Sequence, residues 1–136
     1  MFTIGSQSDY GLIILSSLMK KNEYVSLTRV VKETDLPQRF LARIAGKLVS
    51  HGLLASLEGR GGGYKVTDKV KKITLYDYLA IFEKNLHVCR CCRQTYHCHF
   101  QRVCRHGSFF QNTLTGILSG QLKKIKLVQV FSKDTA

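Results

Sequence analysis

Pro37-Gln38-Arg39-Phe40-Leu41-Ala42-Arg43-Ile44-Ala45-Gly46-Lys47-Leu48-Val49-Ser50-His51-Gly52 is the stretch on which the fold turns. Proline suits a first helical turn, where its missing N–H is not needed, and Gly52 stands where a C-terminal cap belongs. Between them the pattern predicts a helix from Pro37 to about Ser50 with two faces. Leu41, Ile44, Ala45 and Leu48 repeat as a core stripe, while Arg39, Arg43 and Lys47 follow one another at i, i+4 on the opposite side. One short helix thus carries three aligned cations.

Upstream, Ser26 to Glu33 reads as a shorter helix with Leu27, Val30 and Val31 inward, and Thr34-Asp35-Leu36 as the turn out of it. Two helices joined by a tight turn, the second one basic, form a helix-turn-helix, whose second helix enters the major groove of DNA. A buried first helix is expected from Asp9 to Lys21, capped by Ser8 or Asp9, with Tyr10, Ile13, Ile14, Ser17 and Leu18 at helical spacing. Downstream, Leu53 to Leu57, then Glu58-Gly59-Arg60-Gly61-Gly62-Gly63, then Tyr64 to Thr67 read as strand, turn and strand. A hairpin in that place is a wing. Its glycines let backbone come close to a groove wall, and Arg60 among them suits a narrow, electronegative minor groove. A phosphate-binding P-loop does not fit, because no lysine followed by serine or threonine stands where its motif needs one.

Lys69, Lys71 and Lys72 extend the positive surface, and Ile73 to Lys84 is expected to form a fourth helix started by Thr74. The expected architecture is mainly α with a small β-hairpin: a winged helix-turn-helix DNA-binding domain over residues 1–84, a cysteine-rich loop over 85–107, and a dimerisation helix with tail over 108–136. Within the last part, Ser108 to Lys126 carries a stripe of Phe110, Leu114, Ile117, Leu118, Leu122 and Ile125, and Lys123, Lys124 and Lys126 favour the negative end of the helix dipole. So apolar a helix implies a homodimer. Residues from Ser132 to Ala136 are expected to fray.

Composition narrows the partner. In 136 residues, 44% hydrophobic, Lys and Arg number 21 against 9 for Asp and Glu, a formal net charge of +12. A core can be built at this size, and a polyanion is the expected ligand, nucleic acid before an anionic membrane. Neither a secretory leader nor a run of about 18 apolar residues is present, so a soluble, cytoplasmic protein without membrane contact is expected. Nothing in the sequence offers a substrate pocket, and an enzyme is not expected.

All 5 cysteines lie between Cys89 and Cys104, and His87, His97, His99 and His106 share that segment. A disulfide framework would staple distant parts of a chain instead, so this density reads as metal ligation. Cys92, Cys98 and Cys104 are evenly spaced by five intervening residues. Such spacing lets a loop wrap an iron-sulfur cluster, whereas structural zinc usually takes closer pairs, although zinc is not excluded. Arg90, Arg93, Arg102 and Arg105 could offset thiolate charge or face solvent or DNA. Three thiolates leave one position unfilled, for which His106, Asp9, Cys89 and Cys91 are candidates; Cys91 adjoins Cys92 and diverges from it, so Cys89 and Cys91 read as spare thiols.

From Ser8 to about Val130 the chain resembles the Rrf2 family of winged-helix regulators. The resemblance is carried by Asp9-Tyr10-Gly11-Leu12, Leu36-Pro37-Gln38-Arg39-Phe40-Leu41, Gly59-Arg60-Gly61-Gly62-Gly63-Tyr64 and the three spaced cysteines. It implies a homodimer with crossing C-terminal helices, an iron-sulfur cluster, [2Fe-2S] or [4Fe-4S], near the partner's DNA-binding domain, and DNA binding that depends on cluster state. IscR-type members place a histidine three residues after the last cysteine, where this chain has Gly107, with His106 one residue early. NsrR-type members can use an aspartate at the start of the first helix, donated by the other subunit, and Asp9 stands there. The resemblance therefore implies Cys92, Cys98, Cys104 and a partner subunit's Asp9 as metal ligands, with His106 the alternative. The expected protein is a cluster-switched regulator, a repressor on a palindromic operator, sensing iron, cluster supply, redox state or nitric oxide. Gln38, Arg39 and Arg43 would contact bases, Arg60 the minor groove, and Lys47, Lys65 and Lys69 phosphates. Its rivals are a zinc-stabilised DNA-binding protein and one whose thiols sense oxidants directly.

Overall fold

A computed structural model of the chain describes residues 3–84, 86–92 and 96–132. Helices α1 (Ser6–Met19), α2 (Leu27–Thr34) and α3 (Gln38–Ser50) are followed by strands β1 (Leu54–Leu57) and β2 (Gly63–Val66), then α4 (Leu75–Phe82) and α5 (Thr115–Lys124). The two strands pair antiparallel, Leu54 opposite Val66 and Leu57 opposite Gly63. This is the expected mainly α winged helix.

Its core is one cluster. Ile14, Leu15 and Leu18 of α1, Val30 of α2, Leu41, Ile44, Ala45 and Leu48 of α3, and Tyr78 and Leu79 of α4 meet Leu53, Leu54 and Val70. The stripe expected on α3 is buried throughout, as the 3.6-residue period requires. Short-range signals hold α2 and α4 in place. Ser26 caps α2 by accepting from the Arg29 N–H, and Asp35 ends it in the left-handed region at φ 57°. Thr74 and Asp77 form a reciprocal capping box at the start of α4. The lowered pKa of Asp77 has this cause, chiefly the Thr74 backbone N–H donating to its carboxylate.

Two expectations need correction. Helix α1 begins at Ser6, and neither Ser8 nor Asp9 caps it; its N-cap is Gly5, whose side chain can accept nothing. Ser8 is buried and donates its hydroxyl to the Glu83 carboxylate at 2.8 Å, while the same oxygen accepts the Gly5 N–H at 2.7 Å. A partner 75 residues away has replaced the local cap. Secondly, the helix expected from Ser108 to Lys126 is not uniform. Phe109–Leu114 is π-helical, and α5 closes at Lys124. Ile125 turns to extended backbone because its carbonyl accepts from the Leu75 N–H at 2.8 Å, and the Leu127 N–H donates to the Ile73 carbonyl at 3.1 Å. Those tertiary bonds supply what a further helical turn would have supplied. Leu127 is consequently fully buried. Of the expected stripe on this stretch only Leu122 is buried, while Ile117 and Ile125 are exposed. Residues 133–136, which the expected fraying includes, lie outside the described ones.

Candidate nucleic-acid interface and cysteine segment

Burying one stripe of α3 turns the other outward. Gln38, Arg39, Phe40, Arg43 and Lys47 are all exposed. The Arg43 guanidinium lies over the Phe40 ring, 5.4 Å from its centroid, which gives a long side chain a preferred direction. Among the described residues, ion pairs join Lys21 and Arg29 to Glu23 and Glu33, on the α1–α2 side. The cations of α3 and the wing are in none of them, so their charge is available to an anion.

Backbone pairing ties the wing to the residue just before the α2 cap. Val25 N–H donates to the Tyr64 carbonyl at 2.9 Å and Tyr64 N–H to the Val25 carbonyl at 2.8 Å. Close approach there requires glycine at residue 63, where φ is 144° and a Cβ would overlap the Val25 carbonyl. Arg60 is exposed at the tip, between two glycines of positive φ, Gly59 and Gly61.

The other expected phosphate contacts are placed less alike. Lys65 is half-buried, with its ammonium 5.8 Å from the centroid of Tyr24, and Lys47 reaches 5.3 Å from that of Phe82. Lys69 donates to the His51 carbonyl at 2.7 Å, which sets it against the C-terminal end of α3. With a rise of about 1.5 Å per residue, that end is ~20 Å from Gln38. The structure thus brings Gln38, Arg39 and Arg43 together and puts Lys69 at the far end of the same helix.

Asp9 lies in the first turn of α1 with its side chain exposed and is not its cap. Beside it, Tyr78 donates its hydroxyl to the Ser8 carbonyl at 2.6 Å, and burial, with the Asp9 charge, raises the pKa of that phenol. Glu83 and Tyr78, which the sequence did not single out, therefore fix the turn that carries Asp9. Tyr78 stands in the sequence only as one position of the apolar stripe of α4, and Glu83 as a charged residue just past its end.

Among its described residues the cysteine segment forms no long element. A 3-10 turn spans Arg90–Cys92, and a second turn follows, with Cys104 N–H donating to the Phe100 carbonyl at 2.8 Å. The Gly107 N–H points at the Cys104 sulfur, 3.2 Å away, and a Cβ on Gly107 would sit 3.1 Å from it. Cys98 and Cys104 are half-buried, and His106 is exposed with its ring edge-on to Phe110. Gln111 donates to the Cys91 carbonyl at 2.9 Å, and the Cys89 and Cys91 sulfurs are 3.2 Å apart. Arg90, Arg102 and Arg105 are exposed, while Arg93 and the Cys92 side chain lie outside the described residues. Among the described residues of this single chain, no three His, Cys, Asp or Glu side chains converge as a metal site would require, so Asp9, His106, Cys98 and Cys104 are not brought together within it.

The donor set nevertheless fits an iron-sulfur cluster in kind. Thiolate sulfur is the usual ligand of such clusters, and a backbone N–H aimed at the Cys104 sulfur is the sort of hydrogen bond that tunes them.

Known proteins share this fold. In structure, the chain is similar to CymR (YrzC), the global cysteine regulator of B. subtilis, with TM-score 0.72 at 20% identity, covering 96% of this chain and 97% of that one. T. potens IscR gives TM-score 0.67 at 17% identity over 95% and 85% of the two chains. At those identities the likeness shows the fold. In sequence, the HTH-type transcriptional regulator IscR of Cereibacter sphaeroides is 31% identical over 85 residues, 62% of this chain and 55% of that protein. CymR of Bacillus subtilis is 29% identical over 82 residues, 59% of each. The matched part spans about half to three-fifths of the length of such relatives. The family model Rrf2, described as an iron-dependent transcriptional regulator, matches residues 4–133. Helix-turn-helix, wing and cysteine segment all fall inside that match, and the chain belongs to the Rrf2 family.

Proposed function

We propose that this chain is a DNA-binding transcriptional regulator, acting as a repressor, whose hold on a palindromic operator is set by an iron-sulfur cluster. The observation that carries the reading is α3: Gln38, Arg39, Arg43 and Lys47 are exposed on one short helix, outside any described ion pair, beside a wing with Arg60 at its tip. Gln38, Arg39 and Arg43 read base edges, Arg60 enters the minor groove, and Lys47, Lys65 and Lys69 meet phosphates. Cys92, Cys98 and Cys104 hold the cluster, with Asp9 of the partner subunit as fourth ligand and His106 as the alternative. When bound, the cluster supplies a centre whose charge and ligand set respond to iron, cluster supply, redox state or nitric oxide. The chain's own part is to order residues 85–107 around it and so to set the spacing of two α3 helices on DNA. A homodimer is supported by the apolar side chains that α5 and its approach leave exposed, Phe109 and Ile117 among them. No helix is long and apolar enough to cross a membrane among the described residues.

The test is anaerobic purification of the wild type and Asp9→Ala, with iron, sulfide and visible absorption measured alongside operator binding. Coloured protein containing iron and sulfide, with a weakened cluster in Asp9→Ala, is expected. Colourless protein with stoichiometric zinc would replace the cluster by a structural metal, and an unchanged spectrum in Asp9→Ala would remove Asp9 as a ligand.

A further inference from the structure

Two cysteines are left over by the cluster reading, and they are not scattered. The Cys89 and Cys91 sulfurs stand 3.2 Å apart across the single residue Arg90. We propose that Cys89 and Cys91 form a dithiol redox site, distinct from the three-cysteine set, that closes to an intramolecular disulfide by exchange with small-molecule disulfides.

Three observations support it. First, a disulfide needs its sulfurs brought to about 2.05 Å, and the present contact leaves only a small movement to make. Secondly, both residues are half-buried, so a small disulfide can reach them. Thirdly, the backbone of Cys91 is fastened to the π-helical segment by the Gln111 amide, which holds one half of the pair in place. A ring closed across one residue removes less loop entropy from the unfolded chain than a long loop would. Such short, strained, accessible disulfides lie at the oxidising, labile end of the range, which suits a reversible site.

The chemistry balances without a metal. One cysteine thiolate attacks a small disulfide RS–SR; the S–S bond breaks, RS⁻ leaves and takes up a proton, and a mixed disulfide remains. The second cysteine thiolate attacks the cysteine sulfur of that mixed disulfide, expelling the second RS⁻, which is also protonated. Two protein thiols are oxidised to one disulfide, and RS–SR is reduced to two RSH. This does not rest on the cluster reading.

Oxidised and reduced glutathione at set ratios serve as the probe, with the full chain under anaerobic conditions, followed by acid quench, alkylation, tryptic digestion and mass spectrometry. Cleavage after Arg90 and Arg93 separates the two sites into peptides 85–90 and 91–93. The expected result is a linked pair of those peptides in the wild type and in Cys92→Ser, absent in Cys89→Ser and Cys91→Ser, and reversed by excess reduced glutathione. Linkage lost in Cys92→Ser, linkage of peptide 85–90 to the peptides holding Cys98 or Cys104, or stable mixed disulfides without a linked pair would each overturn it. So would loss of cluster absorption in Cys89→Ser or Cys91→Ser, which would make these thiols ligands. A linked pair in protein that never takes up iron would uphold this site while defeating the cluster reading.

Discussion

The wing-bearing half of the molecule and its cysteine segment are built on opposite terms. Among the described residues, all the fully buried apolar side chains except Leu127 lie between Ile14 and Leu79; from Leu86 to Gly107 there is not one, and Phe100 and Val103 are 69% and 74% exposed. The first region is held by apolar burial and needs no ligand to persist. The second has hydrogen bonds and turns but little apolar surface removed from water, so fewer contacts oppose its local opening. The proposed function uses both kinds: a surface to meet DNA in fixed geometry, and a lightly held segment whose state a ligand would decide.

Hydrogen exchange probes that contrast on the largest scale. Without a cluster, amides of α3 should exchange only through global opening, at about 5–15 kcal/mol, while those from Tyr96 to Cys104 should exchange orders of magnitude faster. Reconstitution should slow the second set and leave α3 unchanged; equal protection in both regions would erase the distinction. Next in size is a pair of truncations. Leu15→Ala, in the core, should cost ~2–5 kcal/mol in denaturant unfolding, and Val103→Ala within about 0.5 kcal/mol. A large cost at Val103 would mean that a face absent from the single chain covers it.

Within the rigid half, Arg39→Ala should lose about 1–3 kcal/mol of operator affinity and relax sequence preference, while Lys65→Ala should weaken all sequences alike and lower the salt slope by about one. Binding unaltered in both would remove α3 and the wing from the interface. The smallest effect belongs to the capping box. Thr74→Ala should cost about 1 kcal/mol. Asp77, held below the usual carboxylate pKa by Thr74, favours the fold when ionised, so its contribution is present above the unfolded carboxylate pKa and fades as pH falls through the lowered one. Asp77→Asn should flatten that acid limb slightly in unfolding experiments.

Legibility in the sequence follows the same division. The α3 stripe, the Ser26 cap, the Thr74 start and the glycine-rich hairpin are readable because each is decided within a few residues, by period, cap chemistry or permitted φ. Ser8 reads as a cap only until Glu83, far along the chain, competes for its hydroxyl. The stretch from Ser108 to Lys126 reads as one helix because its competing partners cannot be seen locally: backbone groups of Ile73 and Leu75 claim Leu127 and Ile125. For the site, the exposed row on α3 follows from amphipathicity, whereas the contact of Cys89 with Cys91 depends on a tight turn that no apolar repeat announces.

The pairing of Thr74 with Lys126 has a practical side. It returns the chain to the winged helix and seats Leu127 in the same core as Leu79 and Val70. The polypeptide makes a closed circuit, out through the cysteines and α5 and back to the foot of α4. Trimming residues 125–131 would therefore uncork the hydrophobic centre of the winged helix. Whatever happens in the segment between can pull on that half from both of its ends.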